Sequence, residues 1–389
     1  MVYLGPEPWN GLWRNRHHLM SRFGRDRTVI YVEPPSLLKQ VRRRLIRGKL
    51  PSADLFRART AHIQDNLHVF RTGALCPVTL RKSVSAITWQ YWRRAFRRCL
   101  AELEIERYIL WISRPFWYPA LDQLTQELLI YHVVDEYTAY SMVTEDVRRG
   151  IIESEEYTLQ KADLVIVVSE TLRVSKSKLN RNTHVVANGV DIGAYSGFNE
   201  NPTASNVMAG IPRPRIGYSG LIGSRLDLEL LLDLARHRPD YSIVLLGAVD
   251  ARDCRSQIGE LENLENVHFL GLKPAEDVPK YIKGFDVCMI PYARNERARH
   301  ADPLKLYEYG AAGKEVVCTD FVAARNVGRF CRIAASTDDF LFQVDETLSR
   351  PTPVDIATEA RQWAGMGSWE NRMLQIESLL AMHLPPRVR

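Results

Sequence analysis

The residues best placed to do chemistry lie in one stretch, DVCMIPYARNERARHADPLKLYEYGAAGKEVVCTD (286–320). An apolar strand ending at Tyr292 gives way to a charged loop, then to a helix expected over 303–312, then to Gly313 and another strand. Pro303 is expected at or near the first helical position, Lys305 in the first turn and Glu308 one turn further on the same side. A lysine beside the positive end of a helix can neutralise a diphosphate, and a carboxylate can accept both hydrogen bonds of a ribose diol. On spacing alone the alternative is an exposed i, i+3 ion pair, which contributes little.

Three glycine turns after apolar runs could complete such a site. GYSGLIGS (217–224) is expected to follow a strand and open a helix, so that Gly220 and Gly223 let backbone N–H groups approach a phosphate, with Arg225 or Arg294 adding charge. LLGAVD (245–250) and FLGLKP (269–274) repeat the pattern and put Gly247 and Leu270 against a base. A purely structural strand-to-helix turn reads the same way. In the other half, YHVVDEYTAY (131–140) sets Asp135 and Glu136 after an apolar strand, where Asp135 could take a proton from an acceptor hydroxyl, with Tyr137 beside it; an Asp helix cap is the alternative. The opening segment GPEPWNGLWRNRHHLM offers Asn15, Arg16 and His17 to an acceptor or a phosphate, or else simply a solvated helix.

These residues need a scaffold that gathers loops, and the sequence supplies one. Short apolar runs (28–35, 66–71, 107–112, 128–135, 164–169, 184–189) alternate with helical patterns such as 81–104 and 145–161, which predicts parallel, doubly wound α/β structure. A stretch rich in Asn, Pro, Gly and Ser then interrupts, and the alternation restarts at RIGYSG. The expected organisation is residues 1–192, a Rossmann-like domain; 193–214, a linker; 215–367, a second Rossmann-like domain; and 368–389, an amphipathic terminal helix and tail. Such sheets bind ligands beyond the carboxyl ends of their strands, where the loops named above fall.

The 389 residues, 46% hydrophobic and 25% charged, can bury a large core and exclude a disordered chain. Six scattered cysteines without CxxC spacing argue for a reducing compartment and no structural metal. No stretch has the length and apolarity of a signal peptide or a membrane span, so a cytoplasmic protein is expected. The net charge of +6 favours anionic partners, and two basic, aromatic segments, 39–49 and 89–100, would suit the inner face of an anionic membrane, although Trp89 and Trp92 fit a core equally well. Nucleic acid is set aside, because no recognition module accompanies the charge.

PLKLYEYGAAGKEVV (303–317), ADLVIVVSETL (162–172), HVVANGVD (184–191), RIGYSGLI, VHFLGLKP and the helix from Trp369 together resemble the GT-B glycosyltransferases, similar to the family 4 enzymes and to xanthan-type glucuronosyltransferases. The resemblance implies two Rossmann-like domains facing an interdomain cleft, 1–192 binding the acceptor and 215–367 the nucleotide sugar. It also implies transfer of a sugar, UDP-linked in the working assignment, from a nucleoside diphosphate to a glycan or lipid-linked saccharide, without a cofactor or metal. By position, Glu308 matches the ribose-binding carboxylate, Lys305 the lysine near the phosphates, Leu304 a lining residue and Tyr292 an aromatic neighbour of the base. Asn188, Gly189 and Asp191 match the end of the first domain. His300 stands where retaining relatives carry a Glu that contacts the donor sugar, and Asp135 lies where inverting relatives carry their catalytic Asp, so the stereochemical outcome stays open. A sugar-nucleotide epimerase of the same fold and a catalytically inactive partner subunit are the competing expectations.

Overall fold

A computed structural model describes residues 1–10, 13–34, 58–72, 82–117, 121–139, 144–196 and 207–384, with the side chains of 82–88 left aside. The basic segment 39–49 lies outside the described residues. Two compact units emerge: Met1–Val186 with Gln375–Arg389, and Ala187–Leu374.

In the first unit the strands are β1 (Val2–Leu4), β2 (Val29–Glu33), β3 (Arg59–Gln64), β4 (Leu67–Arg71), β5 (Ile109–Ile112), β6 (Leu128–Val133), β7 (Leu164–Val167) and β8 (Thr183–Val185). They form one sheet in the order β3-β4-β2-β1-β5-β6-β7-β8, parallel throughout except for the antiparallel edge strand β3. The β-branched and apolar runs make strands that are buried on both faces, as a parallel sheet requires. Strand β3 was not expected. Its RTAHIQ sequence is exposed along most of its length, so it carries no hydrophobic periodicity to read.

Helix α1 (Asn15–Asp26) follows β1, and α2 (Lys82–Glu102), α3 (Glu145–Lys161) and α4 (Glu170–Lys176) cover the crossovers. In α2 three aromatic residues face inward: Trp89, Trp92 and Phe96 are buried with Trp117, Leu110 and Tyr131. Trp92 stacks on Phe96 at 5.0 Å between centroids. Insertion of these tryptophans into a bilayer is therefore not available, and α2 presents Arg94, Arg97 and Arg98 to solvent together with Gln90, Tyr91 and Glu102.

The second unit repeats the plan with β9 (Arg215–Ser219), β10 (Ile222–Gly223), α5 (Leu228–His237), β11 (Ser242–Leu246), β12 (Val249–Asp250), α6 (Arg255–Glu262), β13 (Val267–Gly271), α7 (Val278–Lys283), β14 (Val287–Ile290), α8 (Glu296–Arg299), α9 (Leu304–Ala311), β15 (Val316–Thr319), β16 (Cys331–Ala334), α10 (Thr337–Leu348) and α11 (Val354–Met366). Its six-stranded parallel sheet runs β13-β11-β9-β14-β15-β16, the doubly wound order in which the chain reverses direction across the sheet between the first and fourth strands. The same reversal lies between β1 and β5 in the first unit. The final helix, α12 (Trp369–His383), is capped by the Ser368 hydroxyl, which accepts from Asn371 N at 3.2 Å. It buries Trp369, Ile376, Leu379 and Leu380 while Leu374 and Met382 are exposed. No helix among the described residues is long and apolar enough to cross a membrane.

Candidate functional site

The loops that leave β9 and β14, on either side of the reversal in the second unit, are tied together. Asp227 N donates to Pro291 O, Ala293 N donates to Arg225 O (both 2.9 Å), and Leu226 and Tyr292 form a bridge. This pairing lays the Arg225 guanidinium over the Tyr292 ring, 5.0 Å from its centroid. From the other side Lys305 arrives on the first turn of α9. Its Nζ donates to Tyr292 Oη at 2.9 Å and lies 5.0 Å from the centroid of Tyr218. Helix α9 is fixed to the end of β9 by Tyr309, whose Oη accepts from Ser219 N at 2.8 Å.

The ammonium is thus surrounded by phenols rather than by a carboxylate. Burial works against its charge, yet the Tyr218 and Tyr292 hydroxyls outweigh that and hold the Lys305 pKa above the ordinary lysine value. The positive charge is present and not neutralised. The Lys305–Glu308 ion pair that spacing alone favoured does not form. Glu308 is partly buried, and its carboxylate has no hydrogen-bond partner among the described residues. Burial pushes its pKa up, and the field of Lys305 pulls it back only in part. An acceptor group held without a donor, one turn from an uncompensated cation, is set for a ligand that brings hydroxyls and an anion.

Pro303 takes the N-cap position of α9 instead of the first helical position, with extended backbone (φ −78°, ψ 124°). Leu304 follows, half-buried. The start of this helix is secured by Asp302. Its Oδ2 accepts from Asn188 N at 2.6 Å, its Oδ1 from Tyr307 Oη at 2.9 Å, and its carbonyl from Asn188 Nδ2 at 2.6 Å. Asn188 accordingly serves to anchor α9 within the second unit, whereas Gly189 lies against Gly367 and Trp369. Burial drives the Asp302 pKa up to about 6. Neither Asp302 nor Tyr218 was singled out from sequence; one is defined by a partner 114 positions away, and the other reads as an ordinary strand residue.

The glycine turns differ from expectation. Gly220 and Gly223 do not open a helix: the two-residue strand β10 intervenes, and α5 starts later, capped by Asp227 Oδ1 accepting from Leu230 N. Gly220 N donates to Leu246 O at 2.8 Å and Gly247 N to Gly271 O at 3.0 Å, so these N–H groups are spent within the backbone. Gly247 (φ +147°) lies so close that a Cβ there would sit 1.8 Å from Gly220 O, which makes it a close-approach glycine. Gly220 itself borders Lys305, whose Nζ would lie 3.1 Å from a Cβ at that position. Leu270 stays within β13, partly buried against the core. His300 caps the end of α8, where its Nε2 meets Glu296 Oε1 at 3.1 Å. The glutamate excluded by spacing is therefore brought to the histidine by one helical turn.

In the first unit Asp135 is buried just beyond β6. It does not cap a long helix, since α3 begins only at Glu145 behind Thr144. Glu136 is taken up by Lys176, which bridges it to Glu155, both at 2.8 Å. Tyr137 gives its hydroxyl to Ser113 O and so has a packing role. His17 is fully buried, and both its nitrogens are engaged: Nδ1 accepts from Arg14 N and Nε2 donates to Trp9 O, each at 2.9 Å. Burial, reinforced by Arg16, depresses its pKa to about 4, so it is a neutral structural residue. Asn15 opens α1, and Arg16 pairs with Glu7 at 2.9 Å.

Residues 214–348 match the family model for glycosyl transferases group 1. Over 225 residues, 55% of this chain and 56% of the other, the sequence is 30% identical to TuaH of Bacillus subtilis strain 168, named as a candidate teichuronic acid biosynthesis glycosyltransferase. The match thus spans just over half the length of that relative. Among solved structures, sucrose-phosphate synthase from Thermosynechococcus elongatus superposes with a TM-score of 0.74 at 14% identity, covering 98% of each chain. Anabaena HepE in complex with UDP-glucose superposes with a TM-score of 0.66 at 16% identity, covering 98% of this chain and 99% of that one. The chain therefore has the GT-B fold, and residues 214–348 within it match the group 1 glycosyl transferase model.

Proposed function

We propose that the protein is a glycosyltransferase that moves a sugar from a UDP-sugar to a hydroxyl of a glycan or lipid-linked saccharide in cell-surface polysaccharide synthesis. The observation that carries this reading is the unpartnered Glu308 carboxylate one turn from the Lys305 ammonium, at the carboxyl end of a doubly wound sheet. Glu308 accepts the ribose hydroxyls, Lys305 and Arg225 meet the charge on the departing diphosphate, and Tyr292 borders the nucleotide. With the charge met by side chains, the transfer needs no metal. Asp135 is the base that takes the proton of the acceptor hydroxyl, and His300, held by Glu296, lies toward the donor sugar. The TuaH resemblance and the UDP-glucose complex of HepE support the polymer and the nucleotide, respectively.

The protein works in the cytoplasm, where the exposed Arg94, Arg97 and Arg98 of α2 support contact with anionic lipid by charge alone. Calorimetric titration of UDP, GDP and uridine, followed by a panel of UDP-sugars assayed for hydrolysis, tests the assignment. Binding of UDP in preference to GDP is expected, and absence of UDP binding refutes it. Asp135→Asn is expected to abolish transfer while leaving UDP affinity within about twofold, and sustained turnover would remove Asp135 from the mechanism.

A further inference from the structure

Asp135, the base in the glycosyl-transfer reading, stands on the loop leaving β6, where a short 3-10 turn, Tyr137–Ala139, follows. The residues after it are tied down one by one. Glu136 Oε2 accepts from Lys176 Nζ at 2.8 Å, and its Oε1 accepts from Thr138 Oγ1 at 2.7 Å. Arg148 of α3 donates to Thr138 O, and Tyr137 Oη donates to Ser113 O on the loop leaving β5. Lys176, the last residue of α4, also donates to Glu155 Oε2 of α3 at 2.8 Å, and Glu155 Oε1 accepts from Tyr131 Oη at 3.0 Å. Tyr131 belongs to β6, so this chain of contacts leaves the strand, passes through α3 and α4, and returns to the turn that follows the same strand.

Lys176 and Glu155 are each 5% exposed and Glu136 is 8% exposed. Charged groups taken out of water lose more hydration than apolar side chains of equal size, and an apolar replacement of such a cluster is often neutral or stabilising. Stability alone is therefore a poor account of it. What a hydrogen-bonded cluster supplies is a single fixed arrangement. Burial opposes charge at both Lys176 and Glu136, yet the two carboxylates hold the lysine above its ordinary value, and the lysine, with Thr138, holds Glu136 below its own. This link is ionised. Glu155 stays above the ordinary carboxylate value, because burial outweighs the lysine there. The stronger link thus runs from Lys176 to the residue next to Asp135.

We propose that Lys176 is a positioning residue for the base: through Glu136 it fixes the turn that directs the Asp135 carboxylate at the acceptor hydroxyl. This rests on the glycosyl-transfer reading, with Asp135 as base. The hydroxyl proton goes to Asp135 as the acceptor oxygen bonds the sugar and the diphosphate leaves with the electron pair of the broken bond. Lys176 keeps its own protons throughout and acts only through Glu136.

Two readouts on the full chain test this. The first is hydrolysis of whichever UDP-sugar of the panel is turned over, with water in place of the acceptor hydroxyl. Lys176→Met is expected to lower kcat about tenfold to a hundredfold while KM and the Kd for UDP stay within about twofold. That substitution leaves two buried carboxylates without their cation, so Glu136→Ala, in which Lys176 keeps Glu155, is run beside it with the same expected outcome. The second readout is hydrogen exchange of the 136–139 turn, where Ala139 N donates to Glu136 O at 3.2 Å. Both variants are expected to exchange about tenfold faster there, with β6 unchanged. The proposal is overturned if Glu136→Ala keeps its kcat, if UDP affinity falls along with kcat, or if exchange at the turn does not change. Sustained hydrolysis by Asp135→Asn, or no hydrolysis of any UDP-sugar by the native chain, would defeat the glycosyl-transfer reading instead.

Discussion

Replacing Glu308 by Gln should move stability and donor binding in opposite directions. The carboxylate is partly buried without a hydrogen-bond partner, and burial raises its pKa, so the apoprotein bears a desolvation cost that the nearby ammonium of Lys305 only partly offsets. Neutral Gln carries less of that cost. A gain of about 1 kcal/mol is reasonable for one partly exposed group, which for a unit of this size corresponds to a rise in Tm of about 2–4 °C. With UDP bound, the carboxylate would accept two hydrogen bonds from the ribose. A hydrogen bond to a charged group contributes about 1.5–3 kcal/mol, so weakening one such bond costs about tenfold to a hundredfold in Kd. Differential scanning calorimetry of the free variant and isothermal titration with UDP read the two effects separately. A lower Tm together with unaltered UDP affinity would show that Glu308 is a structural residue and defeat its assignment to the ribose.

Lys305→Met should leave uridine binding within about twofold and weaken UDP binding at least tenfold, because the ammonium has phenols as neighbours and an unmet charge; equal losses for both ligands in a titration would refute a phosphate role. Acid should loosen the first unit through His17, whose pKa is lowered to about 4, and His132, lowered by burial to about 3. Both are held below the ordinary histidine value, so their contribution is complete above about pH 6.5 and is lost as pH falls from there toward 4. For His17 this is on the order of 3 kcal/mol, and a flat denaturation midpoint between pH 6.5 and 4 would contradict it. Asp302 behaves with the opposite sign. Its pKa is raised to about 6, so its stabilising contribution is complete below the ordinary aspartate value and is lost as pH rises through 6. Asp302→Asn should accordingly stabilise the second unit at pH 7.5, and a lower Tm there would count against that.

How much of this could be read from sequence depends on how far each residue's partners lie along the chain. Lys305 and Glu308 were legible because a helix fixes their relation locally, and the doubly wound plan followed from alternating apolar runs. The ion pair they might have formed was not decidable from spacing, since Lys305 turns to Tyr292 and Tyr218 on two other strands' ends. Gly220 and Gly247 announce a tight backbone, yet only the sheet shows that they press on each other rather than on a ligand. His17 looked like a solvent or substrate contact, because nothing in the sequence reveals that Trp9 and Trp13 enclose its ring at 4.6 and 4.8 Å. Strand β3 was missed for lack of any apolar pattern, and Trp89 and Trp92 fitted a membrane face as well as the core they occupy.

The two reversal points gather their basic side chains by different routes. In the second unit one ammonium is set among neutral phenols, so its charge is available but its partner must also satisfy Glu308 and an aromatic surface; that combination selects a nucleotide. In the first unit three guanidinium groups, those of Arg14, Arg16 and Arg114, gather around the ionised Glu7 carboxylate. The neutrality of His17 is part of this. Its ring follows Arg16 in sequence and accepts the Arg14 N–H through Nδ1, which protonation would forbid. A fourth positive charge there would repel the arginines and break the cap of α1 that aims Arg16 at Glu7. The order at the start of α1 should therefore be lost in acid as His17 is protonated, a change that hydrogen exchange of the Arg14 amide between pH 6.5 and 4 would read.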